Sequence, residues 1–127
     1  MTVTISDILN ANSVLTKILT FEFSAKQSFM IGRLLRILSS ESEAYEKTRQ
    51  EMIKKYAEVD ENNQIIIFED TVKIRDEEIE NFQKEITELH SAELNIDAKP
   101  IPLDWLEDLP LTPAEMITLE PFIAFEE

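Results

Sequence analysis

Residues 24–56 read SAKQSFMIGRLLRILSSESEAYEKTRQEMIKKY and residues 76–90 read DEEIENFQKEITELH, and how these two stretches pair decides the fold. In the first, Ser24 and Gln27 have the spacing of a capping box, in which each side chain satisfies a backbone N–H at a helix start. No Pro interrupts the rest of the stretch, and Gly32, the only Gly of the chain, costs about 1 kcal/mol against Ala. Ile31, Leu38, Tyr45 and Met52 recur every seven residues, flanked by Leu34, Leu35 and Tyr56, while Glu41, Glu46, Arg49 and Lys54 fall on other faces. The spacing predicts one long helix to about Ala57 with a narrow apolar seam. From Phe29 to Leu38 the apolar arc widens, so burial on several sides is expected there.

In the second stretch, Ile79, Phe82, Ile86 and Leu89 come at helical intervals. Asp76 is placed to cap this helix, and Glu77 and Glu78 suit its positive dipole end. Its apolar stripe matches the long seam, which predicts an antiparallel helical pair. Between the two, Asp60-Glu61-Asn62-Asn63 is a turn cluster, and Ile65–Phe68 and Thr71–Ile74 read as a β-hairpin around Glu69-Asp70.

Toward the N-terminus, Thr2 to Ile5 alternates like a short strand, and Ser6 can cap a helix carrying Ile8, Ala11, Leu15 and Ile18 to near Leu19. Phe21 and Phe23 put two rings on one side of an extended segment. Beyond His90, residues 93–97 alternate like a strand, and Pro100 and Pro102 keep the chain extended. Thr112-Pro113-Ala114-Glu115 combines an N-cap, a Pro at the first helical position and a capping-box carboxylate, predicting a short helix to about Leu119 that Pro121 ends. The expected architecture is α+β in one domain, residues 1–127. It comprises the long helix paired antiparallel with a second amphipathic helix and a short C-terminal helix. A small sheet would join the N-terminus, Phe21–Phe23, the hairpin and Leu94–Ile96.

The chain of 127 residues has 12 basic and 26 acidic side chains, a net charge of −14, and no Cys. The charge is uneven: residues 1–56 hold eight basic and six acidic side chains, residues 57–127 four and twenty. An acidic surface of this size opposes contact with nucleic-acid phosphates and with anionic lipid. Direct nucleic-acid or membrane binding is therefore not expected, and the lack of a long apolar run or a signal-like start points to a soluble intracellular protein. Without Cys, disulfides and thiolate metal sites are excluded.

Catalytic motifs are missing as well. His90 is the only imidazole, at an expected helix C-terminus where a cation is favoured. Asp60-x-Asn62-x-Gln64 has the oxygen spacing of a calcium loop, but Ile65 stands where Gly is needed and Thr71 where a bidentate Glu belongs. Phosphate-cradling loops need several Gly residues. No cofactor, metal or enzymatic activity is expected.

The segment Leu103–Leu109 interleaves Asp104, Glu107 and Asp108 with Trp105, the composition of an acidic surface with an aromatic anchor. Trp105 also suits a cap over the protein's own core, the reading favoured here. Phe122 and Phe125 pose the same choice, and a homo-oligomer would satisfy both. Lys26, Arg33 and Arg36 form the only cation cluster suited to an anionic ligand, with pairing to the chain's own acids as the plainer role.

Five segments, Phe23–Phe29, Glu43–Tyr56, Asp76–Glu85, Leu111–Met116 and Leu119–Ile123, resemble small uncharacterised accessory proteins encoded by tailed phages and prophages. That family often has Gly where Ala57 stands and a hairpin shorter than Gln64–Ile74. The resemblance implies a phage-encoded protein acting in a bacterial cytoplasm and carries no catalytic residues with it. Three functions are then expected as alternatives. The first is a protein–protein interaction in which the acidic C-terminal half meets a basic surface of a host, defence or phage protein. The second is an acidic DNA mimic, and the third a small-ligand-binding or sequestering oligomer.

Overall fold

The computed structural model describes residues 1–68 and 71–125, so the turn expected at Glu69-Asp70 lies outside the described residues. It is α+β. Strand β1 (Thr2–Thr4) leads directly into helix α1 (Ile5–Ile18), because Thr4 and Asp7 form a capping box. Ser6, the residue expected to cap, lies inside the first turn. The extended backbone at the end of β1 already gives Thr4 the cap conformation, so the helix begins two residues earlier.

Helix α2 (Ala25–Tyr56) starts at the Ser24–Gln27 box as the spacing predicts. Its buried residues are Ile31, Leu34, Leu38, Tyr45, Ile53 and Tyr56, while Met52 is only half-buried. The seven-residue repeat thus drifts by one place, as it must on a helix of 3.6 residues per turn that is not supercoiled. A methyl group at Gly32 would meet nothing within 4 Å, so no close approach requires that Gly.

After α2 the chain reverses twice. Val59 bridges Ile65 and Ala57 bridges Ile74, while strands β2 (Ile67–Phe68) and β3 (Thr71–Val72) form the hairpin. Asp60 Oδ1 accepts the N–H groups of Asn62 and Gln64 at 2.8 and 3.0 Å, and Asn63 takes the left-handed conformation with φ 62°. That carboxylate closes its own turn, as the hairpin reading requires. Arg75 secures the tip: its N–H donates to Tyr56 O and its Nη2 to Lys55 O, both at 3.0 Å, filling carbonyls that the end of α2 leaves open.

Asp76 does not cap the next helix. Residues Asp76–Glu78 form a 3-10 turn without a side-chain cap, and helix α3 (Ile79–His90) comes directly after it. Contacts of Tyr56 with Phe82, Lys55 with Glu85 and Tyr45 with His90 run in opposite residue order, so α2 and α3 are antiparallel, with the hairpin at their tip.

Strand β4 (Glu93–Asn95) pairs antiparallel with β1, and Ile96 N–H extends the ladder to Met1 O. Strand β5 (Ile101–Pro102) pairs in parallel with β6 (Ile123–Ala124), on either side of helix α4 (Pro113–Leu119), whose Thr112–Glu115 box forms as predicted. Pro121 continues the chain in a 3-10 turn, Glu120–Phe122. Among the described residues the expected single sheet is instead three separate two-stranded ladders, and Phe21–Phe23 joins none of them. The rings of Phe21 and Phe23 are half-buried by packing alone.

The core lies at one end of the molecule. Val3, six positions on α1, Ile31, Leu34 and Leu38 of α2, Ile96, Ile101, Leu106, Leu119, Phe122 and Ile123 are buried there or beside it. Phe29, expected to be enclosed, is 68% exposed. α1 and the C-terminal crossover cover only the Ile31–Leu34–Leu38 side of α2.

Candidate functional site

The acidic and aromatic segment is positioned by the parallel β5–β6 pair. Ile101 faces Ile123 and Pro102 faces Ala124, so the two strands end together. Leu103-Asp104-Trp105, a 3-10 turn, and Phe125 therefore leave the pair at the same end. Trp105 packs against the core with part of its ring still accessible. Phe125 is 55% exposed, and Ile117 on the outer side of α4 is 69% exposed. Asp104, Glu107 and Asp108 are all exposed.

Phe122 stands differently. It is 0% exposed and belongs to the core, so in this fold it has no surface to present. In sequence Phe122 and Phe125 look alike; the 3-10 turn at Glu120–Phe122 points the first inward, and β6 carries the second past the edge. Of the residues singled out from sequence, the fold brings Asp104, Trp105 and Phe125 to one end, with Glu107 and Asp108 in the next turn.

α4 is fixed to α1 beneath this surface. Lys17 Nζ donates to both Glu115 oxygens, at 3.0 and 3.1 Å, and to Pro110 O at 3.3 Å. The Thr112 backbone N–H, which Glu115 accepts as part of its capping box, and then Lys17 hold the Glu115 carboxyl below its ordinary value. Glu115 is marked in the sequence only as a capping-box carboxylate; its ion pair with Lys17 arises from the contact of α1 with α4.

Elsewhere the acids are paired or solvated. Glu58 meets Lys73, Glu85 meets Lys55 and Asp97 meets Arg33, and no charged side chain is buried among the described residues. No ion pair joins Asp104, Glu107, Asp108 or Glu120 to a described cation. His90, at the last position of α3, shares a 2.7 Å hydrogen bond between its Nε2 and the Tyr45 hydroxyl. Burial raises the Tyr45 pKa. This pair ties α3 to α2; no cluster able to hold a metal ion occurs among the described residues.

The chain matches no protein-family model, no curated protein and no solved structure. Among the described residues no helix is long and apolar enough to cross a membrane. Exposed carboxylates beside accessible aromatic surface can pair with Lys and Arg while desolvating an apolar anchor.

Proposed function

We propose that this chain is a phage accessory protein that works without catalysis, by protein–protein contact in a bacterial cytoplasm. Its acidic C-terminal half would engage a basic surface on a host, defence or phage protein. The phage setting rests on the sequence resemblance. The observation that supports the contact mode is the shared exit of Asp104-Trp105 and Phe125 from the β5–β6 pair, beside carboxylates without cationic partners. Such an end offers an aromatic centre rimmed by charge, the arrangement in which binding energy concentrates. Charge at the rim would speed encounter and select a basic partner.

The test is capture from bacterial lysate at two salt concentrations, comparing the wild type with a variant carrying Asp104→Asn, Glu107→Gln, Asp108→Asn and Phe125→Ala. A defined protein retained by the wild type, weakened by salt and lost with the variant is the expected result. Equal capture by both proteins would refute the reading. The DNA-mimic alternative predicts that duplex DNA displaces the captured protein, so insensitivity to DNA removes that alternative.

A further inference from the structure

We propose that a second site, independent of the acidic end, binds a small amphipathic anion: an apolar body with a single carboxylate or sulfonate head. Lys26, Phe29, Met30 and Arg33 lie at spacings of three, one and three, which places them on one stripe of the first turns of α2. Facing them runs the segment Ile96-Asp97-Ala98-Lys99. Between the two lies a groove of about 600 Å³, within the size range of sites that hold small organic ligands.

The floor is apolar and the rim is cationic. Met30, Ile96 and Ala98 line the groove beside Phe29, whose 68% exposure leaves a large ring in contact with water. Lys26 and Lys99 also line it, and neither has an ion-pair or hydrogen-bond partner among the described residues. Arg33 is only loosely engaged, its Nη2 3.4 Å from Asp97 O and 3.7 Å from Asp97 Oδ2, so most of its donors are free. Three cations against one carboxylate make this groove a local reversal of sign in a chain of net charge −14.

The wall is held by the chain's own hydrogen bonds. Ile96 N–H donates to Met1 O at 2.7 Å, and Ala98 N–H donates back to Ile96 O at 2.9 Å, so the segment is held to β1 and folded on itself. The size favours a small occupant over a second copy of the chain. The helical stripe spans about 10 Å along its axis, and a stable protein interface engages about 20–30 residues a side. An eight-to-ten-carbon chain or a fused aromatic ring would cover Phe29 and Met30 while its head group reaches a rim cation.

The experiment uses the full chain and the fluorescent probe 1-anilinonaphthalene-8-sulfonate. The probe should bind, decanoate below its micellar concentration should displace it, and decyltrimethylammonium should not. Lys26→Glu combined with Lys99→Glu, and separately Phe29→Ala, should each weaken probe binding at least tenfold with an unchanged thermal midpoint, because these side chains are exposed. Wild-type affinity in the charge-reversed protein, or equal displacement by the cationic amphiphile, would overturn the proposal. So would a wild-type dimer, seen by sedimentation, that the same substitutions dissociate, since the occupant would then be another copy. None of these readouts depends on the acidic end, so failure here leaves the contact proposal standing.

Discussion

The two halves of α2 carry the same kind of apolar spacing and end in different surroundings. Near its start, Ile31, Leu34 and Leu38 are enclosed by α1 and the C-terminal crossover. Toward its end, Tyr45, Ile53 and Tyr56 face mainly α3 and the hairpin, and α3 itself has no buried residue: Phe82, Ile86 and Leu89 are half-buried and Ile79 is exposed. A stripe is enclosed only where further elements cover its flanks, whereas two helices laid side by side leave the edges of their contact wet. The molecule therefore has a packed body and a thinly covered arm.

The sharpest test of that contrast lies in the body. Phe122→Ala should destabilise the chain by about 3–5 kcal/mol, the usual cost of deleting a fully enclosed ring, measured by urea unfolding. A loss of less than about 1 kcal/mol would mean that the crossover is not part of the cooperative core.

In the arm the effect should be smaller and local. Phe82 meets Tyr56 edge to face, with ring centroids 6.1 Å apart, and Phe82→Ala should cost about 1–2 kcal/mol, combining partial burial with the ring pair. Hydrogen exchange should show the amides of α3 opening at lower free energy than those of α1. Equal protection in both helices would erase the distinction between body and arm.

The smallest effect concerns the link between α1 and α4. The Glu115 carboxyl is held below its ordinary value of 4.5 by the Thr112 N–H and by Lys17. Its contribution to stability is thus fully present above that ordinary value and is lost as the pH falls through the lower folded value. A Glu115→Gln variant should show a shallower fall in stability with acid than the wild type. Identical acid limbs in the two proteins would remove Glu115 from the linkage.

Much of the fold was legible in the residues. Both capping boxes evident in the sequence, Ser24–Gln27 and Thr112–Glu115, start helices where expected, because a cap is decided within four residues and needs nothing distant. The antiparallel α2–α3 pair came from two matching stripes. Failures occurred where a competing partner mattered. Ser6 lost to Thr4 because β1 had already set the backbone, and Phe21–Phe23 found no strand to pair with. Of the candidate site, the exposed Asp104, Glu107 and Asp108 were readable from charge alone. The separation of buried Phe122 from exposed Phe125 was not, since both are aromatic residues in one short apolar run.

Spacing, caps and composition are enough to specify the α+β class, the long helix, its antiparallel companion and the concentration of acid in the second half. They do not specify that β5 and β6 run parallel, which brings Asp104-Trp105 and Phe125 to one end, or that residues 96–99 stand across from Lys26–Arg33 to form a cationic groove; those arrangements exist only in the folded chain. The reason is physical. Periodicity records which face of an element avoids water, but pairing between segments many residues apart is fixed by the hydrogen bonds and packing they find once the chain has folded.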